Sequence, residues 1–277
     1  MINTMARRPR SPAATQMRAV LVFVLFAVPG PAIAEDPPAT SGSTQSPSTG
    51  APPSHAEDKT GTDPTHFTKT LVLFNEFRSL GDEAIYNTSN FRYTQPVGKV
   101  KFQITLPLDA TDLLGTTEAG FGDAGLKASY LPKLTPKFGL VLFLDTFYPT
   151  ATKDVLGSGK YIASPGATFA FFFQHGKVIF APSVQQKFSY AGDSDRQSVN
   201  QSLVDFYLVW RPTMNSWITF DPQFVYDHED GKFFNQTEIE IGRLMFGGVS
   251  TYLRPGVGIG RDRPLDWNVE FGLKIVH

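Results

Sequence analysis

The sequence predicts an all-β fold: a transmembrane antiparallel β-barrel of about twelve strands, preceded by a disordered linker. Three observations carry that expectation. The chain opens with an export signal, most of it alternates apolar and polar residues with a period of two, and short turns alternate with longer polar loops.

The export signal comes first. Arg7, Arg8, Arg10 and Arg18 precede Ala19 to Val28, a run without a polar residue. Pro29 and Gly30 break the run, and Ala32-Ile33-Ala34 supplies the small-x-small site of a signal peptidase. The run is shorter than the roughly 20 residues of a membrane-spanning helix, which argues against an uncleaved anchor. The Arg7-Arg8 pair lacks the rest of a twin-arginine signal. Residues 1–34 are therefore expected to be a cleaved signal peptide, with mature protein beginning near Glu35.

Residues 35–66 are rich in Pro, Ser, Thr and Gly and nearly free of large apolar side chains. Such a segment buries too little surface to offset its ordering entropy, so a flexible linker is expected. A plug or a spacer to peptidoglycan is the functional alternative for this stretch.

Residues 67–277 form the expected barrel. Phe102, Ile104 and Leu106 alternate with Lys101, Gln103 and Thr105, and Leu126, Ala128 and Tyr130 with Lys127 and Ser129. Val204, Phe206, Leu208 and Trp210 oppose Asp205 and Tyr207, and Ile218, Phe220 and Phe224 oppose Thr219, Asp221 and Gln223. At the end Trp267, Val269, Phe271, Leu273 and Ile275 oppose Asn268, Glu270 and Lys274. The 24 Phe suit a pleated surface.

A soluble sandwich would also alternate, so the connections decide. Short gaps at 174–176, 212–215 and 247–248 alternate with polar stretches at 79–85, 109–120, 150–160, 191–198 and 227–232. Tight turns on one side and longer loops on the other are the pattern of an outer-membrane barrel, whose strand number is even. Strands are expected at 68–78, 86–95, 98–108, 121–132, 137–149, 161–173, 177–190, 199–211, 216–226, 233–246, 249–259 and 265–276. That makes twelve, with ten or fourteen the neighbouring even counts. Tyr93, Tyr130, Tyr148, Tyr190, Trp210, Trp217, Tyr226, Tyr252 and Trp267 fall mostly near strand ends, where a headgroup-level aromatic girdle is expected. His277 stands where a terminal aromatic is usual in such barrels.

Several segments taken together carry a family resemblance: FQITLPL (102–108), GFGDAGLKASYL (120–131), DTFYPT (145–150) and LGSGKY (156–161). In this order they resemble the outer-membrane transporter barrels of the phenol-degradation meta-pathway family, over most of residues 68–277. The resemblance implies an outer-membrane location in a Gram-negative bacterium and a barrel that admits small, hydrophobic or aromatic compounds. It implies no catalytic motif.

If the apolar face meets lipid, the other face lines the lumen. The candidates for setting selectivity are Lys99, Lys101, Lys127, Phe143, Asp145, Phe147, Lys187, Asp205, Asp221, Glu238, Glu240, Arg254, Glu270 and Lys274. Their charges balance. They suit either a selective passage or a closed network of buried pairs, since a barrel of this size is narrow inside. Phe143 and Phe147 share the Asp145 face and would suit a small aromatic solute.

The leading expectation is thus a passive, porin-like channel, then a closed structural or surface-interaction barrel, and third an outer-membrane enzyme. None of the five histidines has a Ser two residues away, and the Asp227-His228-Glu229-Asp230 run reads as a solvated loop rather than a metal site. No cofactor or metal is expected. The expected partners are outer-membrane lipid and lipopolysaccharide, the barrel-insertion machinery and a small solute. The net charge of -1 argues against nucleic acid, and 0 Cys excludes disulfides and thiolate sites.

Overall fold

The computed structural model describes residues 58–81 and 84–277. The expected signal peptide, and the expected linker as far as residue 57, lie outside the described residues.

The alternating segments form strands throughout. They are β1 (Thr70–Ser79), β2 (Ile85–Val97), β3 (Val100–Thr111), β4 (Glu118–Phe121), β5 (Ala124–Leu134), β6 (Phe138–Tyr148) and β7 (Lys160–Phe173). Then follow β8 (Val178–Gly192), β9 (Asn200–Thr213), β10 (Ser216–Asp227), β11 (Lys232–Phe246), β12 (Val249–Ile259) and β13 (Trp267–Val276). All pairings are antiparallel. β1 pairs with both β2 and β13, from Thr70↔Val276 to Ser79↔Trp267, so the sheet closes on itself and only the short β4 is paired on one side alone.

The wall has twelve strands because β4 is an outer continuation of β5. β3 pairs with β5 over Val100–Thr105 and with β4 over Leu108–Thr111. Between them, Pro107 has no N–H to give, and its carbonyl accepts the Gly122 N–H at 3.1 Å. Gly122 is required there, since a Cβ would collide with the Asp109 carboxyl.

Both strand termini of the barrel lie at one end, with the short turns at 98–99, 135–137, 174–177, 214–215 and 247–248. The opposite end carries the longer connections at 112–123, 149–159, 193–199 and 260–266. The turn at Gly247 and Gly248 has φ of 50° and 81°. Two successive positive φ values make the tightest hairpin, which glycine enters without a Cβ penalty.

The outward face is apolar over most strands. Phe102, Ile104, Leu106 and Leu108 of β3 are 45–50% exposed, and Val204, Phe206, Leu208 and Trp210 of β9 point the same way. An exposed apolar belt of this extent has no stable place in water and matches hydrocarbon.

Inward, Val72, Phe74, Ala170, Phe172, Ile179, Ala181, Val209, Trp217 and Tyr252 pack into one buried cluster. Trp217 and Tyr252 are corrections to the expected girdle, being buried inside the wall. Their parity explains it, because Ile218 and Leu253 face outward and their neighbours must face in. Trp217 lies over Gly242 and Tyr252 over Gly272, where any Cβ would overlap the rings.

Candidate solute pathway

The inward charges are unevenly distributed around the barrel. β1 and β9 to β13 contribute Glu76, Asp205, Asp221, Glu238, Glu240 and Glu270, together with Arg78, Arg254 and Lys274. Arg254 pairs with Glu240 and lies 3.7 Å from Glu238. The indole N–H of Trp217 donates to Glu240 at 2.5 Å, and the Tyr252 hydroxyl to Glu270 at 2.6 Å. Asn268 donates to Glu76 at 3.2 Å and to Glu238 at 2.5 Å. Carboxylates here are held by neutral donors as much as by cations, which keeps the wall acidic.

The facing strands β2, β3, β5 and β8 present Arg92, Lys101, Lys127 and Lys187. All four lie on rings, Arg92 4.7 Å from Phe74, Lys101 4.5 Å from Phe67 and Lys187 5.3 Å from Phe147. Lys127 reaches Asp145 at 3.5 Å and stands 4.1 Å over Phe143. A cation over a ring face is stabilised without losing its charge. Asp109 and Asp145 stand among these cations, so acids and bases are interspersed on this side, whereas carboxylates outnumber cations on β1 and β9 to β13.

Lys99 does not belong to the wall. It sits exposed in the β2–β3 turn beside Gly98, whose φ is 61°. The turn follows Val97, the last residue of β2, so the period of two cannot be carried through Lys99.

At the turn end, the segment from Asp58 to Phe67 folds into the mouth. This corrects the expected linker boundary at 66, since Asp58, Thr60, Thr62, Asp63 and Thr65 are all buried. The segment is held by its own short polar side chains. Asp58 accepts the N–H groups of Thr60 and Asp63 at 3.0 and 2.8 Å, and Asp63 accepts the N–H and hydroxyl of Thr65 at 2.8 and 2.7 Å. The wall then clamps it. Arg211 pairs with Asp58 at 2.9 Å and donates to the Thr62 hydroxyl at 2.7 Å, while Lys274 donates to the carbonyls of Thr60 and Gly61 at 3.2 and 3.4 Å. Burial pushes the Asp58 carboxyl up, but Arg211, Thr60 and the backbone N–H donors outweigh it and hold the group below its ordinary value.

At the loop end lies a cavity of about 580 Å³ bounded by β1, β2, β3, β5 and β6. Phe74, Tyr86, Asn90, Arg92, Thr105, Asp109 and Phe147 line it, and Val155 to Ser158 lean over it from the β6–β7 loop. Leu156 in that loop is buried. Asp123 anchors the loop by accepting the N–H and hydroxyl of Ser158, both at 2.7 Å, and the N–H of Ala151 at 3.2 Å. From the next loop, Arg196 donates to the carbonyls of Asp154, Gly157 and Ser158.

Of the residues expected in the lumen, Asp145 and Phe147 line this cavity beside Glu270. Glu238 lines a neighbouring recess with Glu76 and Arg78. Glu76, Arg78, Arg92 and Asp109 were not among the expected lumen residues. The period of two on β1 to β3 would have found them, because Phe77, Phe91 and Leu108 face out and their neighbours face in.

Two loop features bear on catalysis. Ser202 and His228, far apart in sequence, meet at 2.8 Å on the outside of the barrel. The Ser202 hydroxyl donates to Gln186 at 2.6 Å, so its proton is directed away from the imidazole. Asp227 accepts the N–H groups of Glu229 and Asp230 at 2.9 and 3.3 Å, and Asp230 pairs with Lys232 at 2.7 Å, so this run closes its own turn.

No family model and no curated protein matches the chain. Among solved structures, the chain is similar to an outer membrane channel from Pseudomonas putida F1, with a TM-score of 0.64 and 11% identity over 78% of this chain and 99% of that one. It is also similar to the NanC porin, with a TM-score of 0.55 and 11% identity over 74% and 98% of the two chains. A third is the KdgM porin in complex with disordered oligogalacturonate, at 0.51 and 7% over 74% and 98%. At these identities the likeness is one of fold.

Proposed function

We propose that the protein is a passive outer-membrane channel for small hydrophobic or aromatic solutes and has no enzymatic role. The observation that carries this reading is the cavity at the loop end, lined by charges of both signs and edged by Phe74, Phe147 and Tyr86. Such a lining suits a solute that is both polar and apolar, with the rings taking up its apolar part. The similar solved structures are porins and channels, which agrees with that role.

On this reading a cleaved signal peptide exports the chain, the barrel-insertion machinery places it, and the apolar belt meets lipid and lipopolysaccharide. The turn end then faces the periplasm. Kinship with the phenol-degradation transporter barrels belongs to the same proposal. A second reading, a closed structural barrel, is favoured by one specific feature: residues 58–67 occupy the periplasmic mouth.

Planar-bilayer recording of the refolded protein separates the two. The channel reading expects single-channel steps together with solute uptake into protein-loaded liposomes. Silence in both assays supports the closed barrel instead.

A further inference from the structure

The two ends of the barrel carry exposed charge of different kinds. At the turn end Lys99 sits in the β2–β3 turn, Lys133 and Lys137 flank the β5–β6 turn, Lys177 precedes β8 and Arg243 lies near the end of β11. All are exposed. Among the described residues no exposed acidic side chain lies at that end, where Asp58 and Asp63 are both buried. The loop end is the reverse. Asp154, Asp193, Asp195 and Glu229 are exposed there, and the neighbouring cations are taken. Lys153 pairs with Glu118 and Lys232 with Asp230, each at 2.7 Å, and Arg263 pairs with Asp266 at 2.6 Å. No acidic side chain among the described residues pairs with the turn-end cations.

Those cations stand among apolar side chains that also reach out of the wall. Val97 is exposed next to the Lys99 turn and Phe173 next to the Lys177 turn. Phe246, just after Arg243, is 71% exposed, and Met214 at the tip of the β9–β10 turn is 82% exposed. Arg243 alternates with Gly242 and Leu244, so it shares the outward face of Ile241 and Met245. Lys133 shows how the two kinds combine. Its ammonium lies 5.9 Å from the ring of Phe138, which packs 5.3 Å from the lipid-facing Phe171. A cation beside the last rings of the apolar wall stands where hydrocarbon gives way to headgroups.

We infer that the turn end is a collar for anionic phospholipid. Its ammonium and guanidinium groups bind the phosphates of acidic glycerophospholipids in the leaflet on that side, and its apolar side chains enter among the acyl chains. A phosphate is a charge-assisted acceptor for either cation, and an anionic leaflet attracts basic groups close to its surface. Two features favour lipid over an acidic polymer or protein. The cations are spread over four of the five short turns, as suits a partner that surrounds the barrel, instead of forming one patch. They are also interleaved with apolar surface, which an acidic polymer in water would leave uncovered. The inference rests on the barrel's seat in an outer membrane, with the turn end toward the periplasm, and not on conduction.

The test places the refolded barrel in phosphatidylcholine vesicles with trace spin-labelled phosphatidylglycerol or spin-labelled phosphatidylcholine. The motionally restricted part of each spectrum gives the relative association of the two lipids with the protein. Phosphatidylglycerol should be favoured by about fivefold at low salt, and the preference should fall toward parity near 1 M salt as the charges are screened. A variant combining Lys133→Gln, Lys137→Gln, Lys177→Gln and Arg243→Gln should bring the ratio close to one. Lys133→Arg, Lys137→Arg and Lys177→Arg together should keep it, as should Lys153→Gln with Lys232→Gln at the loop end. Heat-modifiable gel migration verifies that each variant is folded. A wild-type ratio near one, or a preference that the Gln variant retains, would overturn the inference. Rim-dependent co-sedimentation with purified peptidoglycan, without any lipid preference, would overturn it in favour of a cell-wall partner. Conductance is read separately: a barrel that prefers acidic lipid but never conducts sinks the channel reading and leaves the collar standing.

Discussion

At the turn end of the lumen, Trp217, Ile179 and Val209 are completely buried, and residues 58–67 are clamped there by Arg211 and Lys274. At the loop end, β1, β2, β3, β5 and β6 surround a cavity of about 580 Å³ lined by charged side chains beside Phe74 and Phe147. One end is organised by burial and the other by pairing of charges. The difference teaches where each property resides: closure and stability belong to the packed end, and selection among solutes to the open one. A change at one end should leave the other property nearly untouched.

The largest effect expected from breaking this division is deletion of residues 58–66. Single-channel conductance should rise several-fold while the preference among solutes stays as it was. If the preference vanished together with the closure, the division would be wrong.

Next comes the clamp. Asp58 is 5% exposed and Arg211 is its cationic partner, so Arg211→Ala strands a buried carboxylate and should weaken docking of the segment by about 3 kcal/mol. Limited proteolysis near residue 58 reads this directly. Acid acts on the same contact. Because the Asp58 pKa is depressed in the folded state, its contribution is complete above the ordinary value of 3.8 and is lost only as the pH falls below it. Conductance should therefore be steady from neutral pH down to about 4 and rise only below that. A rise already at pH 6 would exclude Asp58 as the latch.

A smaller effect is expected from Trp217→Phe. It retains most of the packing but removes the donor at 2.5 Å from Glu240, and should lower unfolding stability by about 1–3 kcal/mol in a urea titration. Smallest of all is Lys127→Gln. The Lys127–Asp145 pair is partly exposed on both sides, so stability should change by about 1 kcal/mol or less. What should move is the ratio of anion to cation permeability, downward, because the lumen loses a cation.

Much of the barrel is legible in the sequence because lipid and lumen impose a strict period of two, and turn lengths reveal which end is which. The same period gives the inward side of Trp217 and of Arg92, once Ile218 and Phe91 are placed outside. The excess of acids on β9 to β13 is also written in the sequence, since Asp205, Asp221, Glu238, Glu240 and Glu270 outnumber Arg211, Arg254 and Lys274 there.

The docked segment is different. Asp58, Thr60, Thr62, Asp63 and Thr65 carry no apolar signal, and their composition matches that of a flexible tether. Their burial depends on Arg211 and Lys274, distant in sequence and brought together only when the barrel closes. Likewise, the pairing of Ser202 with His228 follows from register, which spacing along the chain does not reveal.

The most direct test uses a cross-link. A Cβ on Gly139 would lie 3.4 Å from Cβ of Thr65, close to the separation in a disulfide, and the chain has 0 Cys to interfere. The double variant Thr65→Cys with Gly139→Cys should oxidise readily in the folded barrel and lock conductance at its lowest level, with reduction restoring wild-type behaviour. A folded double variant that fails to cross-link, with conductance equal to that of the deletion variant, would contradict a barrel closed at one end by its own leading segment.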